Sequence, residues 1–167
     1  MTRILIAYGS KRGATAEIAE WIGAALRDRG LEADVRPAHG VGFVSRYDAV
    51  IVGGALYARR WHRDARWFVR HFRSRLEHMP VWLFSSGPLD RTAAEQELPP
   101  VPSAAKAAVR IGARGHVTFG GRLTSDAGGF LAAKIAQTNS GDFRDREAVR
   151  TWASGIAEEL TAEGVPA

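Results

Sequence analysis

Residues 3–22, RILIAYGSKRGATAEIAEWI, pass from a short apolar run through a small, hydroxylated, basic loop into a segment with helical periodicity. The run Arg3 to Tyr8 is rich in branched residues and nearly all apolar, which suits a central parallel strand covered on both faces. Beyond the loop, Ile18, Trp21, Ile22, Ala25 and Leu26 recur at helical spacing. Glu17 and Glu20 stand early, Arg27 and Arg29 late, and Gly30 supplies a stop, all in the sense the helix dipole favours.

The alternation continues along the chain. EADVRP (32–37) reads as a short strand, and YDAVIVGGA (47–55) as another apolar strand closed by Gly53 and Gly54. A second helix is expected next, with Trp61, Ala65, Phe68, Val69, Phe72 and Leu76 on one face and Arg63, Arg66, Arg70 and Arg73 on the other. Pro80 then opens VWLFSS (81–86) as a buried strand. PSAAKAAVRIGARG (102–115) reads as a helix, HVTFGG (116–121) as a strand and GFLAAKIAQ (129–137) as a short helix in a long excursion. DREAVRTWASGIAEEL (145–160) reads as the closing helix. No repeat or linker interrupts the pattern. Strands alternating with helices specify an α/β fold, a doubly wound parallel sheet with right-handed crossovers, whose ligands bind at the carboxyl ends of the strands.

At 167 residues and 46% hydrophobic, the chain is expected to form one domain around one substantial core. No segment approaches the roughly 20 apolar residues of a membrane span, and the first residues lack a secretory pattern, so a cytoplasmic location is expected. With no cysteine, and five histidines that form no ligand pair with a carboxylate, metal binding is not expected. The formal charge of +5 favours anionic partners without choosing among them.

The fold gives the first loop its meaning. It lies at the end of a strand and the start of a helix, where unpaired N–H groups and the positive end of the dipole await an anion. Ser10 and Thr15 offer hydroxyls, Gly13 lets the backbone approach closely, and Lys11 or Arg12 adds positive charge. The alternative is that Ser10 only caps the helix and Gly13 only makes the turn. The loop is neither a Walker sequence nor a dinucleotide fingerprint, so a single monophosphate is the expected occupant.

SKRGAT resembles the phosphate loop of the flavodoxins, usually Ser/Thr-x-Thr-Gly-x-Thr, with Ser10, Gly13 and Thr15 matching and Arg12 where a Thr is common. The resemblance implies a flavodoxin-like three-layer sandwich, a five-stranded parallel sheet in the order 2-1-3-4-5 with helices on both faces, and FMN as cofactor. It further implies that the loops after the third and fourth strands flank the isoalloxazine; here these are GGALYARRWH (53–62) and SSGPLDR (85–91). The cofactor-binding residues so implied are Ser10, Lys11, Arg12, Gly13, Ala14 and Thr15 in the first loop, Ala55, Leu56 and Tyr57 in the second, and Ser86, Gly87, Pro88 and Leu89 in the third. Through GGALYARRWHRDARWFVRHFRSRLEHMP, FGGRL and GDFRDREAVRTWASGIAEEL, the chain is most similar to the menaquinone-dependent protoporphyrinogen oxidase branch of that family. In that branch the excursion carries an aromatic and apolar helix, whereas TSDAGGFLAAKIAQTNSGD is milder here.

A flavin performs its own redox step, so no catalytic side chain is required. Tyr57 or Trp61 is placed to stack on the ring, although Trp61 also fits the apolar face of its helix. Ser86 and Gly87 are candidate donors to its polar edge, or simple turn residues. Arg59 and Arg60 are candidates to stabilise an anionic reduced flavin, and His62 to donate a proton; each also reads as a surface or structural residue. The expected function is an FMN-binding redox protein of the protoporphyrinogen oxidase type, passing electrons to a quinone, with at most peripheral contact with the inner face of the membrane. The alternatives are an electron-transfer flavodoxin with a protein partner and a basic nucleic-acid-binding module without flavin. No nucleic-acid motif accompanies the arginine stripe, which ranks the last reading low.

Overall fold

The computed structural model describes residues 2–10, 13–87, 99–120, 122–123, 141–142 and 145–164, with backbone alone at 122–123 and 141–142. β1 (Arg3–Gly9) leads into α1 (Ala14–Asp28), then β2 (Glu32–Pro37), a 3-10 turn (Ala38–Gly40), β3 (Ala49–Tyr57) and β4 (Arg60–Trp61). α2 (Arg63–His71), α3 (Arg73–Leu76), β5 (Val81–Ser86), α4 (Pro102–Ile111) and β6 (Gly115–Phe119) follow. A short ribbon, β7 (Arg122–Leu123) with β8 (Gly141–Asp142), precedes α5 (Arg146–Ala162). The parallel strands are ordered β2-β1-β3-β5-β6, the expected 2-1-3-4-5 once the antiparallel β4 is set aside.

Both faces of the sheet are covered because its inner strands, β1, β3 and β5, carry successive buried apolar residues that point to alternate sides. Ile4, Ile6, Ile51, Trp82 and Phe84 turn toward α1 and α5, while Leu5, Ala7, Val50, Val52 and Leu83 turn toward α2, α3 and α4. The three-layer sandwich follows. α1 ends where expected, with Gly30 at φ 84°, and α4 ends at Gly112 in the left-handed region, three residues short of the expected helix. α5 begins at Asp145, whose carboxylate accepts from the Ala148 amide at 3.1 Å. The expected helix in 129–137 lies outside the described residues. No helix among the described residues is long and apolar enough to cross a membrane.

The segment after β3 departs from expectation. The predicted single helix is a hairpin followed by two helices: β4 returns along β3, pairing Leu56 with Trp61 and Tyr57 with Arg60, and the helical path breaks at Phe72, φ −99° and ψ 13°. The apolar residues nevertheless share one cluster, since Trp61, Ala65, Phe68, Val69, Phe72 and Leu76 are all buried together. Trp61 joins it from a strand rather than a helix. Its indole N–H donates to the Phe84 carbonyl at 3.1 Å, and its backbone N–H to Ser103 Oγ at 2.9 Å.

Two glycines in β3 make room for the largest core side chains. A Cβ on Gly53 would lie 1.9 Å from the Phe84 ring, and one on Gly54 2.6 Å from Trp61 Nε1. Gly53→Ala should therefore cost about 3 kcal/mol in urea unfolding, near the upper end of overpacking effects. Gly112→Ala, which meets no atom within 4 Å but strains a φ of 61°, should cost about 1 kcal/mol.

Candidate functional site

Strand register assembles the site. Gly9 pairs with Gly54 and Gly54 with Ser85, so the loops after β1, β3 and β5 leave the sheet side by side, across about 10 Å at ordinary strand spacing. β1 and β3 also bound the switch point, because the chain passes from β1 to β2 on one side and returns to β3 on the other.

In the first loop Gly13 is the N-terminal cap of α1 at φ 83°, and no side chain caps the helix. Ser10 Oγ accepts from the Gly13 amide at 3.3 Å, one residue before the helix. Among the described residues no side chain caps the helix start, which leaves its first-turn amides for another acceptor. Ala14 and Thr15 are buried, and the space over Gly13 is open: a Cβ there would meet nothing within 4 Å. Gly13 is needed for its left-handed backbone more than for its lack of bulk. An open, positively polarised cradle at an uncapped helix start fits a phosphate. Lys11 and Arg12 lie outside the described residues.

The second loop is the β3–β4 hairpin. Ala55 and Leu56 are half-buried and Tyr57 is 46% exposed at its tip. The two turn residues, Ala58 and Arg59, have φ of 48° and 61°, the mirror-image turn that matches strand twist but usually takes Asn or Gly. Each left-handed non-glycine residue costs on the order of 1 kcal/mol. Trp61 is buried against Gly54 and belongs to the core, leaving Tyr57 as the aromatic at the site. His62 caps α2, its Nδ1 accepting from the Asp64 amide at 3.1 Å, and sits where a Cβ on Gly9 would touch it. That placement gives it a structural role.

In the third loop Ser86 and Gly87 are buried, and Gly87, at φ 132°, packs beneath Leu56. The Gly87 amide donates to the Phe119 carbonyl at 2.8 Å, so the expected donation to a ligand falls to Ser86. Pro88 and Leu89 lie outside the described residues. Arg59 and Arg60 are exposed on the hairpin itself.

One polar pair beside the site escaped the sequence reading. Ser85 Oγ lies 2.8 Å from His116 Nε2 on β6, and His116 Nδ1 is buried without a partner among the described residues. Burial pushes the imidazole down to about 4. A histidine on a short strand carries no signal of this pairing, because the Ser85 partner is set by β5–β6 register.

A family model of the flavodoxin domain matches residues 5–139, and the chain belongs to that family. Membership implies FMN as the cofactor, and the uncapped first loop fits its phosphate. Over 85 residues the chain is 29% identical to protoporphyrinogen IX dehydrogenase [quinone] of Escherichia coli strain K12, a stretch covering 50% of this chain and 47% of that protein. The chain spans about half the length of the curated relatives it matches. Among solved structures, a short-chain flavodoxin associated with a bacterial microcompartment superposes with a TM-score of 0.66 at 15% identity, covering 95% of this chain and 99% of that one. Rubredoxin:oxygen oxidoreductase of Desulfovibrio gigas gives 0.67 at 14% identity, over 98% of this chain and 37% of that one. The protein is thus an FMN-binding redox protein of the flavodoxin type.

If the first loop holds the phosphate, FMN should bind the apoprotein at least a hundredfold more tightly than riboflavin, and folded Gly13→Val should lose most of that preference in fluorescence titrations. Equal affinities for the two flavins would remove the assignment. For His116 the unfolded side chain takes a proton below pH 6.5 and the folded one only near 4, so acidification favours unfolding across that window. Wild-type stability should fall by on the order of 2–3 kcal/mol more than that of His116→Asn between pH 6.5 and 4, in parallel denaturant titrations.

Proposed function

We propose that residues 1–167 act as one flavodoxin-like domain that oxidises an anionic, planar substrate of the protoporphyrinogen type and passes the electrons to a quinone. The observation that carries this reading is the basic hairpin: Arg59 and Arg60 stand exposed on the loop that borders the proposed ring site, which Tyr57 tips. Partial likeness to the Escherichia coli enzyme supports the substrate class. Bound FMN would supply the electron-transfer chemistry.

The remaining assignments concern what the chain's own residues do. Ser10, Lys11, Arg12, Gly13, Ala14 and Thr15 hold the phosphate; Ala55, Leu56 and Tyr57 line one side of the ring; Ser86, Gly87, Pro88 and Leu89 line the other. Tyr57, half exposed at the hairpin tip, offers the stacking surface. Arg59 and Arg60 attract substrate carboxylates, or an anionic membrane surface that presents the quinone. Contact with such a surface is peripheral.

The test is oxidation of protoporphyrinogen with a menaquinone analogue as acceptor, across a salt series. At low ionic strength the Arg59→Gln/Arg60→Gln protein should show kcat/KM reduced about tenfold, with the difference vanishing as salt shortens the Debye length below about 5 Å. If FMN-loaded wild type oxidises the substrate no faster than free FMN does, the oxidase reading fails. An electron-transfer flavodoxin with a protein partner then takes its place.

A further inference from the structure

A second cleft lies beside the flavin loops, between α2, α4 and the β3–β4 hairpin, with a volume of about 400 Å³. Its walls carry six cations: Arg59 and Arg60 from the hairpin, Arg66 and Arg70 from α2, and Lys106 and Arg110 from α4. None of its lining residues is acidic, and no ion pair among the described residues engages any of the six. Val69 and Ala107 give it an apolar floor.

This arrangement differs from an ordinary solvated helix face. Other arginines of α2 and α3 either meet carboxylates, as Arg63 meets Asp64 at 3.8 Å and Arg73 meets Glu77 at 3.9 Å, or are exposed outside the cleft lining, as Arg75 is. Arg66 instead buries its Nε without a hydrogen-bond partner among the described residues. A buried guanidinium N–H left unmade is costly, and like charges gathered in one cleft repel. Both penalties vanish when an oxyanion enters. Guanidinium groups match phosphate and carboxylate with paired N–H donors, and several around one cleft favour a molecule with more than one anionic group. The volume is that of a small-ligand site rather than of an extended groove.

We propose that this cleft binds a small polyanion carrying two or more phosphate or carboxylate groups, with Arg66 and Arg70 as its central contacts. The cleft shares Arg59 and Arg60 with the hairpin that borders the flavin site, but its central contacts stand on α2, outside the flavin loops, and do not depend on the identity of the redox substrate. Because the hairpin contributes both Arg59 to this cleft and Tyr57 to the ring site, an anion here steadies a strained turn that borders the flavin.

FMN-loaded protein in 0.1 M KCl is titrated calorimetrically with tripolyphosphate and, separately, with citrate. Saturable 1:1 binding of either probe is expected, the tighter one telling phosphate from carboxylate chemistry. Arg66→Gln/Arg70→Gln should weaken it about ten- to a hundredfold, whereas Arg63→Gln/Arg75→Gln, which removes the same charge outside the cleft, should change it less than threefold. Arg66→Lys, which keeps the charge and loses the buried Nε, should cost severalfold, and retained FMN content with native circular dichroism shows that each variant is folded. Equal losses in both double variants, or no saturable binding by 1 mM, would overturn the proposal. So would a DNA oligonucleotide or anionic vesicle that binds through Arg66 and Arg70 more tightly than either small anion.

Discussion

The structure rests on an absence of side chains at two adjacent positions of the central strand. Gly53 and Gly54 face opposite sides of β3, and each hollow admits a large buried aromatic side chain, Phe84 on the side of α1 and α5 and Trp61 on the side of α2 and α4. Phe84 then meets Phe119 and Trp152, with ring centroids 6.1 and 6.3 Å away, which ties β5 to β6 and α5. Trp61 binds the Phe84 carbonyl and takes Ser103 as its own acceptor, which ties the hairpin to β5 and to the start of α4. Each ring fills a site on β3 that any Cβ would close, so both outer layers are registered against the same two residues.

That constraint explains why the flavin loops stand where they do. With Trp61 anchored, β4 must return along β3, and the intervening Ala58 and Arg59 are forced into left-handed backbone. The strain is local and small beside the burial of an indole, which is worth several kcal/mol. It falls at the edge of the candidate site, beside Tyr57, which is 46% exposed.

Much of this was legible in the sequence, and the failures share a cause. β2 and β5 fall on the very residues expected: Gly30 before β2 and Pro80 before β5 leave little freedom in where they begin, and VWLFSS is a continuous buried run. The order of strands came with the family resemblance that SKRGAT carries, and the loop falls between β1 and α1 as the pattern of residues 3–30 places it. The hairpin was missed because Trp61 sits four residues before Ala65, in phase with the helix that follows, and because its turn is written Ala-Arg instead of the Asn-Gly that announces such turns. The basic cleft was half visible. Arg66 and Arg70, like Lys106 and Arg110, form rows at four-residue spacing, but nothing local says that the two rows face each other across a cavity.

The small ribbon of β7 and β8 has a bearing on how this architecture diversifies. Pairing Arg122 with Asp142 and Leu123 with Gly141 brings the two ends of residues 124–140 together before the chain enters α5. Once the ends are clasped, the entropy of closing that loop depends only weakly on its length, each doubling adding about 0.6 kcal/mol. Seventeen residues can therefore be shortened, lengthened or rewritten with little tax on the sheet. Changes in the number or identity of those residues are thereby kept thermodynamically apart from the sheet that carries the site.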